Sequence, residues 1–214
     1  PAAAAAMAEK LGFPAALKIL SKEITHKSDV GGVALDLPNA DAVRAAAEAM
    51  LERIAERIGP VAIEGFAIQP MIQRPSAFEL IVGASEDPQF GPVVLFGQGG
   101  TAAEILDDTA LALPPLNMHL AREAIARTNV YKLLLGFRGR PRAALDDVAL
   151  TLIKISQLVI DFAEIVELDI NPLLADAKGV IALDARIRVR QASGAPAKRL
   201  AIRPYPKELE EELI

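Results

Sequence analysis

Three residues near the end of the sequence, Asp169, Asn171 and Asp184, carry the oxygen donors that a hard cation takes. They lie in the stretch EIVELDINPLLADAKGVIALDAR, Glu164 to Arg186. Apolar and acidic residues alternate from Ile165 to Ile170, which predicts a half-buried strand. After Asn171-Pro172 the apolar run resumes, breaks at Asp176-Ala177-Lys178-Gly179 and returns as Val180 to Leu183. This pattern predicts a hairpin whose turn is closed by glycine. If Ala175 faces Val180, counting back along both arms sets Asn171 opposite Asp184. Asp169, two residues from Asn171, then projects from the same face. A few protein oxygens suit Mg2+, which keeps its other positions for water and phosphate. Two acids on a solvated sheet face, with an Asn ending a strand, would leave the same pattern, and spacing alone favours that plainer reading.

Four further places could do chemistry. Lys18 interrupts the apolar run Ala15 to Leu20. Either an edge strand lets its stem snorkel to water, or its ammonium is aimed at a phosphate; the residues alone slightly favour the first. His26, in the loop His26-Lys27-Ser28-Asp29, precedes Gly31-Gly32, a pair that lets a loop move or approach a ligand closely. Most exposed loop histidines have no catalytic task, and His119, in the first turn of a predicted helix, reads as a surface residue. The turn Gly97-Gln98-Gly99-Gly100 follows an apolar strand, a placement in which backbone N-H groups often hold an anion. It matches neither the dinucleotide fingerprint nor the Walker lysine loop. Glu64 and Glu79 each interrupt a strand-like run; an ordinary exposed position suits Glu64 better.

The elements that must position these residues are legible in outline. Ala2 to Ala6 reads as the second half of a helix whose beginning is absent, continuing to Lys10 and stopping at Gly12. Strands are predicted over Ala15 to Leu20, Val33 to Leu37, Ile63 to Met71, Phe78 to Ala84, Val93 to Phe96 and Thr109 to Leu113. A helix from Asp41 to Arg57 carries the stripe Val43, Ala46, Ala47, Met50, Leu51 and Ile54, capped by Asn39 or Asp41 and stopped by Gly59-Pro60. Asn117 caps a second helix to about Thr128, with Leu120, Ala121, Ala124 and Ile125 inward. A short helical segment spans Tyr131 to Leu135. Arginines 138, 140 and 142 mark a basic loop, solvated by default, and a long helix runs from Asp146 to Asp161 with Leu150, Ile153, Leu158 and Ile160 inward. Residues 101–107 fit no element clearly. Strands alternate with helices but hairpins are present too, which predicts an α/β protein of α+β type: a mixed sheet with helices packed on it, not a doubly wound parallel sheet.

The bulk numbers exclude several classes. With 214 residues and 52% hydrophobic composition, the chain can bury a core in one large domain or two small lobes. Charges and prolines interrupt every apolar run before membrane-spanning length, so a soluble protein is expected. A net charge of -5 with scattered basic residues argues against nucleic acid. The absence of cysteine removes disulfides, thiolate metal sites and a cysteine nucleophile. The opening lacks the pattern of a signal peptide, and nothing suggests export, so a cytoplasmic setting is expected.

Three segments, ALKILSKEITHKSDVGGV, FELIVGASEDPQFGPVVLFGQGG and EIVELDINPLLADAKGVIALDARI, resemble the ATP-grasp domain of ADP-forming acyl-CoA synthetases, relatives of the succinyl-CoA synthetase beta subunit. The resemblance covers nearly all of Pro1 to Val189. It implies a two-lobed ATP-grasp fold over residues 1–190, lacking its first helix and strand, followed by a linker and the start of another domain over 191–214. The tail LAIRPYPKELEEE resembles the junction to a GNAT-type N-acetyltransferase domain. The implied reaction interconverts acyl-CoA, ADP and phosphate with a carboxylate, CoA and ATP. A companion CoA-binding domain or subunit carries the acyl chemistry and a histidine that relays the phosphoryl group.

By the same resemblance, Lys18 contacts nucleotide phosphates, Gln69, Pro70 and Met71 form an interlobe hinge that reads the adenine edge, and Glu79 lies near the ribose. Asn171 and Asp184 bind Mg2+, with Asp169 as neighbour or third ligand. His26 matches a mobile-loop histidine that carries phosphate, and Gly99 and Gly100 belong to a turn at the nucleotide cleft. Ser76-Ala77-Phe78 stands where a glycine commonly precedes the ribose glutamate. Two functions follow: a catalytic Mg-ATP/ADP-binding ligase component, inactive in the full reaction by itself, or a ligand-sensing regulatory domain of a fused acetyltransferase.

Overall fold

The computed structural model describes residues 1–24, 27–59, 63–100, 108–191 and 200–201. The chain divides into two compact units, residues 1–73 and 74–214.

In the first unit, helix α1 (Ala2–Leu11) leads into strand β1 (Ala15–Leu20), followed by β2 (Val33–Leu37), helix α2 (Ala40–Ile58) and β3 (Gly65–Pro70). The three strands form an antiparallel sheet in the order β2-β1-β3. Period-two alternation turns Ala15, Leu17 and Ile19 toward the helices, where they pack with Ala8, Val43, Ala47, Met50 and Ile54. Leu17 and Ile19 are fully buried, and each contributes about 1.5–3 kcal/mol, which makes β1 the spine of this unit. Asn39, not Asp41, caps α2: its side chain accepts from the Ala42 N-H at 2.9 Å, and Gly59, at φ 77, ends the helix. β3 begins at Gly65, two residues later than the apolar run suggests.

The second unit contains β4 (Phe78–Asp87), β5 (Gly91–Gln98), β6 (Thr109–Ala112), α3 (Met118–Ala126), α4 (Val130–Leu134), α5 (Leu145–Asp161), β7 (Ile165–Asp176), β8 (Gly179–Ala182) and β9 (Ala185–Val189). The sheet order is β6-β5-β4-β7-β8, with β9 also paired to β7. β4 runs beyond Ala84 to Asp87, whose carboxylate receives the N-H groups of Gln89 and Phe90 and so builds the turn into β5. One sheet face carries Phe78, Leu80, Val82, Phe96, Leu168 and Leu173 against Ala121, Ile125, Val148, Leu152, Ile155 and Val159 of α3 and α5. Asp108, nearly buried, accepts from the N-H groups of Asn129 and Val130 and thereby caps α4.

Two inward stripes differ from expectation. On α5 the buried positions are Leu145, Val148, Ala149, Leu152, Ile155, Ser156 and Val159, whereas Leu150 is 41% exposed and Ile153, Leu158 and Ile160 are only partly covered. This helix has more apolar residues than one stripe holds, so periodicity alone does not fix its phase. Docking does, and Ser156 turns inward because its hydroxyl accepts from the Leu116 N-H at 2.9 Å. On α3, Leu120 lies at the margin of the stripe, 37% exposed.

All described strand pairs are antiparallel, more uniform than the mixed sheet expected, and the helices of each unit contribute to a core on one face of its sheet, in line with the expected helices packed on a sheet. Among the described residues no helix is long and apolar enough to cross a membrane.

Candidate metal and nucleotide site

The hairpin register is the one counted from its turn. Ala175 faces Val180 and Leu173 faces Ala182. Beyond β8 the same register continues in β9, where Ile170 faces Ala185 and Asp169 faces Arg186. The Leu183 N-H donates to the Pro172 carbonyl at 3.1 Å between these two runs. Asp184 therefore falls opposite Asn171, in the break between β8 and β9 where the backbone leaves the strand.

On its other side β7 bulges. Leu80 pairs with Leu173 and Val82 with Ile170, so Ile81 alone opposes both Asn171 and Pro172. A bulge of this kind shifts the phase of a strand by one residue. Leu173 and Ala175 point to the helices on one side of it, and Ile170 and Leu168 do so on the other. Asp169, paired with Gly83, and Asn171, opposite Ile81, are both left on the face away from the helices, with Glu79, which faces Leu174.

The glycine turn is pressed onto the same place. The Gly99 N-H donates to the Glu79 carbonyl at 2.9 Å, and a β-carbon on Gly99 would lie 2.5 Å from the Leu80 carbonyl carbon. Gly100, at φ 82, abuts the Glu79 carboxylate and directs its N-H to Asn171 Oδ1 at 3.5 Å, long for a hydrogen bond. Gly99 is thus a packing glycine whose N-H is used within the protein. Gly100 is the one whose N-H is only loosely engaged.

Arg186 completes this face. Its Nε lies 3.8 Å from Asp184 Oδ2, and its backbone faces Asp169. The donor set is two carboxylates and one amide oxygen, hard oxygens with no nitrogen or sulfur ligand, beside a guanidinium that already balances negative charge. That chemistry fits Mg2+. Among the described residues no group of three or more histidine, cysteine, aspartate or glutamate side chains could hold a metal, so a cation here would take an amide and external oxygens as well.

In the first unit, Lys18 pairs with Val33 on one side and Ala67 on the other. It is therefore on the central strand, not an edge, and snorkelling from an edge does not explain it. Its half-buried side chain leaves the sheet on the face opposite Leu17, Ile19 and the helices. Gln69 and Pro70 pair with Ala16 and Ala15 at the end of β3, an edge strand among the described residues. The Met71 N-H donates to the Pro14 carbonyl at 2.9 Å. Because a trans peptide points its C=O opposite to its N-H, the Pro70 carbonyl faces off the free edge, an acceptor suited to an exocyclic amino group.

His26 lies outside the described residues. The loop that follows it is tied down: the Gly32 N-H donates to the Lys27 carbonyl at 2.7 Å, while Arg53 and Arg57 of α2 donate to the carbonyls of Gly31 and Asp29. A β-carbon on Gly32 would meet the Ile19 side chain at 2.7 Å, so this glycine serves close packing. Glu64 pairs with Lys22 at 3.1 Å in solvent, and His119 is exposed, both as the plainer readings expect. Arg186 was missed in sequence, whereas Pro70 was named there with its neighbours and only the direction of its carbonyl was not. Arg186 had a signal, since it follows Asp184 by two residues; the carbonyl direction had none.

A lysine-bearing antiparallel sheet with an open strand edge, and a second antiparallel sheet with an oxygen cluster beside a glycine turn, are the features of an ATP-grasp domain. The chain belongs to the ATP-grasp domain family, matching it over residues 1–189. It is 37% identical over 181 residues to acetate--CoA ligase [ADP-forming] I of Archaeoglobus fulgidus, covering 85% of this chain but only 26% of that protein. It is 36% identical over 178 residues to the beta subunit of acetate--CoA ligase [ADP-forming] I of Pyrococcus furiosus, covering 83% of this chain and 76% of the subunit. Among solved structures it is similar to an acetyl-coenzyme A synthetase of Ca. Korarchaeum cryptofilum in complex with coenzyme A and Ca-AMPCP, at TM-score 0.83 and 37% identity, over 88% of this chain and 81% of that one. Another structure of that synthetase holds coenzyme A and Mg-AMPPCP, with a phosphohistidine segment pointing towards the nucleotide binding site; the TM-score is 0.74, and the match covers 87% of this chain and 81% of that one.

Proposed function

We propose that this chain is the nucleotide-binding component of an ADP-forming acyl-CoA synthetase, passing a phosphoryl group between a phosphohistidine and ADP. The observation that carries this is Asn171 set opposite Asp184 beside Gly100 and Glu79, in a chain similar over most of its length to such ligases. The overall reaction takes acyl-CoA, ADP and phosphate reversibly to a carboxylate, CoA and ATP.

Each residue has a task in this reading. Lys18 brings a cation to the nucleotide phosphates from the rigid centre of its sheet. Gln69 to Met71 present the strand edge to adenine, with the Pro70 carbonyl accepting from its amino group, and Glu79 receives ribose hydroxyls. Asn171 and Asp184 hold Mg2+, and Asp169 orients Arg186 or adds a third oxygen. Bound there, Mg2+ would neutralise charge on the phosphates during transfer, where position and electrostatics supply most of the rate. Gly100 offers a loosely held N-H to a phosphate oxygen; Gly99 supports it by packing. His26, with an imidazole that is nucleophilic near neutral pH, accepts and returns the phosphoryl group.

The acyl substrate and CoA belong to a companion CoA-binding domain or subunit, and a cytoplasmic setting suits these metabolites. The acetyltransferase junction and the regulatory alternative rest on the tail from Leu200 to Glu212, which lies beyond the matched residues 1–189. The ligase reading is preferred because its support spans the matched domain.

The test is a chase on the full-length protein with its companion. Acyl-CoA and labelled phosphate should load acid-labile phosphate, and Mg-ADP should discharge it as ATP. His26→Ala should lose its share of the label and slow the discharge; equal labelling and discharge would end the role of His26. Loaded phosphate that never appears in ATP would end the proposed function.

A further inference from the structure

Arg74 holds the closed end of the hairpin that carries Asn171 and Asp184. Its Nη1 donates to Asp176 Oδ1 at 3.1 Å and to the Gly179 carbonyl at 3.1 Å. Asp176 ends β7 and Gly179 begins β8, so one nitrogen ties both arms. The reach follows from local structure. The Ala77 N-H donates to the Arg74 carbonyl at 3.0 Å, and the turn so closed leads into β4, where Phe78 faces Ala175, the neighbour of Asp176. Asp176 is fixed further: its Oδ1 accepts from the Lys178 N-H at 2.8 Å, and its carbonyl accepts from the Ala144 N-H, just before α5, at 2.9 Å. With side chains 22% and 8% exposed, Arg74 and Asp176 form the most buried ion pair among the described residues. A buried pair gains little net stability over an apolar one, and its best-attested use is to fix a register.

β8 needs such a fixture. It has four residues, lies at the edge of its sheet and is paired to β7 alone. Its one buried residue is Gly179, which has no side chain, and Val180 is only partly covered, so burial barely specifies the register. At the open end of the hairpin β7 bulges at Asn171-Pro172, and Pro172 has no N-H to give a ladder. Between bulge and turn the pairing runs from Leu173 with Ala182 to Asp176 with Gly179, and the clamp stands at its far end. A slip of β8 along β7 moves Asp184 away from Asn171; a clamped turn keeps the two opposite each other.

We propose that Arg74 is a positioning residue of the metal site: by bridging Asp176 and Gly179 it fixes the register of β8, and with it the placement of Asp184 opposite Asn171. The proposal rests on the magnesium-nucleotide reading above. Its action is geometric. Asn171 is five residues from Asp176, about 17 Å of strand, whereas exposed charges act over roughly 8 Å at physiological salt. Removing a positive charge would in any case favour a cation, so weaker Mg2+ binding in a variant reports a displaced ligand rather than a changed field.

The test is thermal melting of the chain with ADP over a Mg2+ titration, beside amide hydrogen exchange of the same variants. Arg74→Met keeps the apolar stem and removes both donated bonds. It should raise the Mg2+ concentration for half-maximal nucleotide stabilisation at least about tenfold, the scale of losing a residue that orients a metal ligand. It should leave the Mg2+-free response to ADP unchanged and speed exchange over Gly179 to Asp184 more than over Phe78 to Ala84. Because one nitrogen makes both bonds, an ammonium can make them too, and Arg74→Lys should restore most of the Mg2+ response. A lower melting temperature with the Mg2+ midpoint unmoved, an equal loss of the Mg2+-free response, or a lysine variant as impaired as the methionine one would each overturn the proposal. Asp176→Asn keeps an oxygen for Arg74 and for the Lys178 N-H, and decides the matter if Arg74→Met does not fold. It should move the midpoint by about threefold, since a neutral acceptor makes the weaker bond, and an unmoved midpoint overturns the proposal as well. A parent chain whose melting ignores Mg2+ ends the metal reading and the proposal with it, whereas a responding parent with unmoved variants ends the proposal alone.

Discussion

Asp184 owes its candidacy to a break in the ladder. Between β8 and β9 its backbone is released from strand geometry while Asn171, opposite, sits in a bulge, and the two irregularities meet. The pairing was readable in sequence because a glycine-closed turn and strict alternation fix a register. The bulge was not, although Pro172, which cannot donate to a ladder, marks where it lies. Asp184→Ala should abolish the Mg2+-dependent part of nucleotide stabilisation, measured by thermal melting with and without the metal. Asp169→Ala should lose less of the metal response. A nucleotide response in Asp184→Ala as dependent on Mg2+ as in the parent would remove Asp184 from the ligands.

At the scale of elements, the short strands and capped helices were legible because each has its own punctuation. Asn39 and Asn117 cap as their side chains allow, and Gly12 and Gly59 end helices at positive φ. What eluded the sequence were choices made by tertiary packing. Lys18 was placed on a strand, but only the pairing with β2 and β3 makes that strand central. The phase of α5 was ambiguous because apolar residues surround it, and packing against β4 and β5 chose the Leu152 side over the Leu150 side. Leu152→Ala should therefore cost about 2–5 kcal/mol in urea denaturation, whereas Leu150→Ala should stay within about 1 kcal/mol. The reverse order would mean that the helix docks in the other phase.

For the molecule as a whole, the residues proposed for the nucleotide fall in both units. The first has a lysine and an open strand edge, and the second has the oxygen cluster, Glu79 and the glycine turn. The two units agree with the two lobes expected from three long resembling segments, whereas Thr101 to Asp107, His26 and the tail beyond Ala201 lie outside the described residues. The claim on which everything else depends is that this chain binds a magnesium nucleotide. Thermal melting with Mg-ADP measures it most directly, because any ligand selective for the folded state must raise the transition. At a hundredfold excess over the dissociation constant, the account predicts a rise of about 5–10 °C that shrinks when Mg2+ is withheld. No rise at millimolar Mg-ADP would contradict it.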